Sequence, residues 1–305
     1  MNKTIKLNSG HEMPLLGLGT WKSEPNKVGD AVKYALTEAG YKHIDGAAIY
    51  RNEPEIGKVY NEVFKSINRE DVFITSKLWN TNHAPQNVEE ACRQTLKDLQ
   101  LEYLDLYLMH WGIAFEHGGD LEPMKDGKVV TEKTSIRETW EAMEKLVNLG
   151  LVKSIGVANF TTMMLTDLLT YAKIVPAINQ IELHPYNSQQ SLVDFCLSHG
   201  IKVTAYSPTG RMGVDLNNMA RLHTDPVVQK IATKHNKSVA QILISWAVTR
   251  GTIVIPKSTT PSRIKENIEI FDFEMDKSDM SDLNSLEKAL RYVDPSDWWG
   301  IPYFK

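Results

Sequence analysis

Four residues have types that together could manage a single proton: Asp45, Tyr50, Lys77 and His110. Asp45 and Tyr50 share the stretch HIDGAAIY, where an apolar run gives way to a carboxylate, a glycine and a phenol. A phenol ordinarily ionises near a pKa of about 10, too high for efficient proton exchange at neutrality. A cation beside it favours the phenolate and lowers that value. Lys77, in FITSKLWN, is the candidate cation. Burial alone would drive its proton off, and a neighbouring Asp45 would keep it charged. His110, in YLDLYLMHW, could orient a substrate oxygen. No activated serine or cysteine, no pair of carboxylates and no zinc-ligand spacing accompanies them, so no metal is expected. Each residue alone has a commoner explanation: an aspartate after a strand caps backbone, a lysine there snorkels, a histidine packs. Only their joint placement favours a site.

That placement rests on the elements that carry them. Short apolar runs at 15–19, 41–45, 72–76, 104–109, 154–157, 177–180, 202–206 and 252–255 alternate with segments of helical periodicity. VGDAVKYALTEAG, SIRETWEAMEKLVNLG, SLVDFCLSHG and PVVQKIATKHNKSVAQILISWAVTRG are such segments, each of one design and closing on a glycine. Eight strands, each followed by helix, predict a (β/α)8 TIM barrel, in which strand C-termini converge on one pocket. An N-terminal hairpin turning at Ser9-Gly10 is expected to close the bottom. Long loops at 112–136 and 207–225 and the tail after Asp276 hold the surplus length. The whole chain, 1–305, is expected to be one barrel domain. The competing architecture, a doubly wound sheet, lacks its fingerprint: Gly17-Leu18-Gly19 has no third glycine and opens into no helix.

A proton alone reduces nothing, so a cofactor is expected. IPKSTTPSRIKEN places Lys257, Ser258 and Arg263 around a turn leading into a helix N-terminus, where barrels commonly hold phosphate. A solvated basic loop is the competing reading. Tyr206 offers a flat face for stacking. Asn159 and Gln180 could bond a carboxamide, or simply cap strand ends.

The 305 residues are 42% hydrophobic and 24% charged, with a net charge of -4, which disfavours a nucleic-acid or membrane-surface partner. Two cysteines, Cys92 and Cys196, suggest a reducing compartment. The opening MNKTIKLNSG has no apolar signal-peptide core, so a cytoplasmic protein is expected. No apolar run is long enough to span a bilayer.

The blocks MPLLGLGTW, DGAAIYRNEPEIG, ITSKLWN, DLYLMHW, SIGVANF, NQIELHPY, AYSPTG and IPKSTTPSRIKEN, in this order and spacing, closely resemble the aldo-keto reductases along nearly the whole chain. Within that family the likeness is to xylose reductases, aldose reductases and aldose-6-phosphate reductases. The resemblance implies a carbonyl reductase using NADPH, with NADH a second choice, acting on an aldehyde or sugar. It implies Asp45, Tyr50, Lys77 and His110 as a catalytic tetrad, with Tyr50 the proton donor and the hydride coming from the nicotinamide. It implies a nicotinamide on Tyr206, its carboxamide on Asn159 and Gln180, and its pyrophosphate under Ser207 and Asp215. Lys257, Ser258 and Arg263 would take the 2′-phosphate, and Glu266 and Asn267 the adenine side. Gly19, Thr20, Trp21, Asp45 and Thr259 complete the expected cofactor contacts.

Two departures stand out. GVANF puts Ala158 where the family has a serine that helps hold the carboxamide, and Val293 replaces an asparagine of the xylose-reductase tail. The second puts pentose preference in doubt. Trp21, Tyr50, Trp79, His110, Trp111 and Trp298 are expected around the substrate, with Trp299 beside them. An aldose-6-phosphate reductase, a lyase using Lys77 as a Schiff base, and a non-catalytic NADPH-binding subunit are the alternatives. Oligomeric state stays open between monomer and dimer.

Overall fold

The computed structural model describes residues 3–212 and 219–305; Asp215 lies outside the described residues. Strands β1 (Thr4–Lys6) and β2 (Glu12–Pro14) pair antiparallel around Ser9-Gly10, where Gly10 takes the left-handed φ of 88° that its missing Cβ permits. The apolar runs become β3 (Leu18–Gly19), β4 (His43–Asp45), β5 (Phe73–Leu78) and β6 (Leu106–Met109). A small hairpin follows, β7 (Met124–Lys125) with β8 (Lys128–Val129), inside the loop at 112–136. Then come β9 (Ile155–Ala158), β10 (Ile178–Glu182), β11 (Lys202–Tyr206) and β12 (Ile253–Val254).

Strands β3–β6 and β9–β12 form one eight-stranded parallel ladder. The ladder closes on itself. Leu16 bridges Val254 and Gly19 bridges Lys257, both parallel, and Gly17 N donates to Val254 O at 2.8 Å. Gly19 is required at this seam, since a Cβ there would stand 2.8 Å from the Ile255 carbonyl oxygen. The result is the expected (β/α)8 barrel.

Helices wrap it: α1 (Val28–Tyr34), α2 (Glu53–Val63), α3 (Pro85–Leu99), α4 (Ile136–Asn148), α5 (Thr162–Leu169), α6 (Gln190–Ser198), α7 (Pro226–His235), α8 (Val239–Thr249) and α9 (Pro261–Ile268). Two more, α10 (Lys277–Asn284) and α11 (Ser296–Trp299), belong to the C-terminal extension. Helix α4 shows how sequence dictates such an element. Ser135 and Glu138 form a reciprocal capping box, and Trp140, Met143 and Leu146 turn one apolar face to the sheet. The segment from Pro226 to Gly251, read as a single helical design, is two helices. Asn236 takes a left-handed φ of 51° and Ser238 caps a new start with Gln241.

The first hairpin plugs the end opposite the strand C-termini. Leu7 and Met13 pack with Phe73, Leu106, Leu108 and Ile178, while Asn8 Nδ2 donates to Pro176 O at 3.0 Å, just before β10. Among the described residues no helix is long and apolar enough to cross a membrane. Cys92 and Cys196 are both free and buried.

Helices α2 and α3 cross where a side chain cannot fit. A Cβ on Gly57 would run into the Asp98 carbonyl oxygen. Alanine normally gains about 1 kcal/mol over glycine inside a helix. Overpacking costs about 1–3 kcal/mol, and against unyielding backbone the upper part of that range outweighs the gain. Gly57→Ala is therefore expected to lower the free energy of urea unfolding; a rise would show that the two helices can separate without penalty.

Candidate active site

At the C-terminal mouth of the barrel, β4 delivers Asp45 and β5 delivers Lys77. The lysine lies inside the strand, which runs one residue further, to Leu78, rather than at its end. Asp45 pairs in register with Thr75, and alternation puts Lys77 on the same face two residues further along β5, from where its long side chain reaches the carboxylate. Lys77 Nζ donates to Asp45 Oδ1 at 2.7 Å, to Gly46 O at 2.7 Å and to the Tyr50 hydroxyl at 3.3 Å. Three oxygens around one nitrogen match the three N–H bonds of an ammonium. The side chains of the pair are 1% and 3% exposed. Burial pulls the lysine pKa below its ordinary value, and the Asp45 carboxylate works against that pull. The second oxygen of Asp45 accepts from Gln180 Nε2 at 2.8 Å.

Tyr50 ends a single 3-10 turn, Ala48–Tyr50, too short to hold itself. Two residues absent from the sequence-level site secure it. Asn52 Nδ2 donates to Thr20 O at 3.0 Å, and Thr20 in turn donates through N and Oγ1 to Asp45 O. Glu53, at the start of α2, accepts from Ser76 Oγ at 2.5 Å and Thr95 Oγ1 at 3.2 Å, tying the helix to β5 and α3. Their signal was present in YRNEPEIG: buried polar residues directly after the reactive one.

The expectation that Lys77 lowers the Tyr50 pKa is not met in the protein alone. Burial, and secondarily the Asp45 carboxylate, hold the phenol well above its ordinary value. The reason is charge balance: the lysine is already neutralised by its aspartate, so the phenol meets a dipole and little solvent. Tyr50 is consequently a full phenol at neutral pH. His110 is also neutral, because burial and then Lys77 depress its pKa well below the usual value. Its ring stands edge-on to Tyr50, centroids 5.9 Å apart.

These groups form the floor of a cleft of about 910 Å³. Asp45, Tyr50 and His110 reach it, with Lys77 buried behind Tyr50. All six residues expected around the substrate line it. Trp79 Nε1 donates to Leu121 O at 2.6 Å and Trp299 Nε1 to Glu122 Oε1 at 2.9 Å, so the loop at 112–136 locks the tryptophan wall. Glu122 and Met124 themselves reach the cleft, and Lys22 and Arg211 flank Trp21, 4.8 and 5.3 Å from its ring centre. The sequence reading missed these four. Their only signal was a position on loops beyond strand C-termini.

The same cleft continues past Gly19, Thr20, Asn159, Gln180, Tyr206 and Ser207 to Lys257, Ser258, Thr259, Arg263, Glu266 and Asn267. Every expected cofactor residue that is described therefore lines one continuous surface. Tests of fit give a mixed picture for the amides. Asn159, in a left-handed φ of 63°, donates to His110 O at 2.9 Å and accepts from the Tyr206 hydroxyl at 2.8 Å. Gln180 Nε2 donates one N–H to Asp45, so each amide keeps a second N–H and the oxygens keep lone pairs, those of Gln180 Oε1 foremost. The far end fits a phosphate well. Thr260, the N-cap of α9, makes no side-chain cap, and Lys257, Ser258 and Arg263 surround that helix start. Burial holds the Lys257 pKa below its ordinary value.

Residues 15–288 match the family model described as "Aldo/keto reductase family". The chain belongs to the aldo/keto reductase family. It is 52% identical to "Aldose reductase B" of Dictyostelium discoideum, over 99% of this chain and 98% of that one. It is 51% identical to the human "Aldo-keto reductase family 1 member A1", over 95% and 91% of the two chains. The solved aldose reductase structure from Schistosoma japonicum superimposes with a TM-score of 0.93 at 44% identity, covering 99% of both chains. The aldo/keto reductase fold and membership make the protein an NAD(P)H-dependent oxidoreductase acting on carbonyl groups.

Several histidines in this barrel are buried as neutral rings. Burial holds His43 and His83 at about 3, and the unfolded chain restores an ordinary value near 6.5. Each therefore stabilises fully above about pH 6.5 and loses about 1.4 kcal/mol per pH unit below it, as the unfolded state gains the proton. Glu53, raised to about 7 by burial, acts oppositely, since below that value the folded state binds the extra proton. Two histidines outweigh one glutamate, and His110 adds to them. Urea unfolding free energy is expected to drop between about pH 6.5 and pH 5; a flat profile would mean these rings are already protonated when folded.

Proposed function

We propose that the chain, acting as one barrel domain, reduces an aldehyde, either an aldose or a general aldehyde, to its alcohol with NADPH, and that Tyr50 gives the proton. The observation that carries this reading is the convergence of Lys77 Nζ on Asp45, Gly46 O and the Tyr50 hydroxyl at the floor of an aromatic-walled cleft. Because Lys77 donates to the phenolic oxygen, the phenol's own proton points away from the lysine and toward the cleft. A carbonyl oxygen held between Tyr50 and the neutral His110 is in position to receive it. A reduced nicotinamide, when bound, supplies the hydride for the carbonyl carbon. As negative charge develops on the oxygen, Tyr50 transfers its proton, and Lys77 stabilises the phenolate left behind. The product is the alcohol, and solvent returns a proton to Tyr50. Trp79, Trp111 and Trp299 keep water from the reacting centre and give the substrate apolar walls.

Lys77 is poorly suited to a Schiff base, with its nitrogen committed to three oxygens and its side chain 1% exposed. Lys257, Ser258 and Arg263 around the start of α9 support the 2′-phosphate of NADPH over NADH. Two buried free thiols suit a cytosolic setting.

Tyr50→Phe removes the proton without changing the ring's shape. It is expected to cut aldehyde turnover by at least about a thousandfold, with NADPH affinity within about twofold. Near-normal turnover would sink the assignment. Lys257→Ala and Arg263→Ala each remove one charge-assisted contact. Each is expected to raise the dissociation constant for NADPH by about ten- to a hundredfold and for NADH by less than about threefold. Equal losses for both nucleotides in a fluorescence titration would remove the ground for preferring NADPH.

A further inference from the structure

We propose that Glu182 is a positioning residue: it clamps the C-terminal tail onto the barrel and so sets the size of aldehyde the cleft accepts. The proposal rests on the reading of the cleft as an aldehyde site. Strand β10 continues two residues past Gln180, and alternation puts Glu182 on the same face, one step further out. Its side chain is 0% exposed. A carboxylate so placed is costly unless fully bonded. Here one oxygen accepts the backbone N–H of Tyr292 at 2.7 Å and the other that of Val293 at 2.9 Å. His184 Nε2 lies 2.9 Å from the first oxygen.

The two amides belong to a segment with no regular structure of its own, more than a hundred residues away in sequence. Bonds to a carboxylate are the strong kind, and two of them fix both the position and the rotation of a peptide. What they fix matters to the cleft. Val293 is 4% exposed, packs with Trp79, Trp111 and Trp299, and lines the cleft directly. Tyr292 O accepts from Arg211 Nη1 at 3.2 Å, which brings the opposite lip into the same arrangement. A secondary latch lies outside. Arg291 Nη2 donates to Gln189 Oε1 at 3.1 Å, and its guanidinium sits 3.7 Å from the centre of the Phe304 ring. The tail is thus tied to the barrel at Glu182 and at Arg291, beside Leu290 N on Tyr186 O and the Tyr292 hydroxyl on Ala220 O. The Glu182 clamp holds Val293 against the tryptophan wall that the loop at 112–136 locks from the other side.

Glu182→Gln keeps the shape but faces one of the two amides with an NH2 group, a donor against a donor. Hydrogen exchange at the Tyr292 and Val293 amides is expected to quicken by at least about tenfold. The KM of a bulky aromatic aldehyde is expected to fall at least about fivefold relative to that of a small aliphatic one, as the wall yields. Turnover of the small aldehyde and NADPH affinity should stay within about twofold. Arg291→Ala should move both readouts the same way by less, and decides the matter alone if the glutamine variant does not unfold cooperatively. Unchanged exchange at the two amides overturns the clamp. Faster exchange with an unchanged bulky-to-small KM ratio overturns its role in selection. A wild-type protein that binds NADPH yet reduces no aldehyde at all removes the reading of the cleft, and the proposal with it.

Discussion

An ammonium and a carboxylate, each nearly out of water and 2.7 Å apart, are the constraint on which this site is built. Desolvating two such ions costs several kcal/mol apiece, and their attraction offsets this only when every remaining donor and acceptor is engaged. Here they are. Lys77 spends its other N–H bonds on Gly46 O and Tyr50, and Asp45 its other oxygen on Gln180. Removing either partner would strand the other as a buried charge. The barrel is what makes the arrangement possible, because β4, β5 and β10 present their side chains to one axis from three separate parts of the chain.

That ion pair also explains why a phenol with an elevated pKa is compatible with an acid's role. A lysine free of its aspartate would pull the phenol down, but burial would then strip the lysine of its own proton. The pair exchanges a strong, unstable field for a modest, permanent one. In the proposed reaction, Tyr50 stays protonated until an oxygen beside it begins to carry negative charge, and the lysine's influence is felt most after the proton has left.

The barrel, its hairpin plug and the convergence of Asp45, Tyr50, Lys77 and His110 were legible in the sequence because each has a local cause. Periodicity marks strands and helices, and polar residues ending apolar runs mark the mouth. The amides Asn159 and Gln180 were placed correctly in the cleft, but their bonds to His110 O, Tyr206 and Asp45 depend on which neighbours the closed ring supplies, something no local pattern encodes. The same holds for Lys22 and Arg211 around Trp21, and for Glu182, whose partners lie at the far end of the chain. The helix boundary at Asn236 was missed for a simpler reason: KHNKS continues a polar face, and only the left-handed backbone there shows that the axis turns.

The two cysteines give the fold a chemical property of another kind. Burial raises Cys92 to about 12 and Cys196 to about 11 and leaves both as packed thiols behind α3 and α6. Thiols in that state are feeble nucleophiles. A protein that works among electrophilic carbonyl compounds thus offers them no accessible thiol, and can be expected to endure reagents that would inactivate an enzyme with an exposed thiolate.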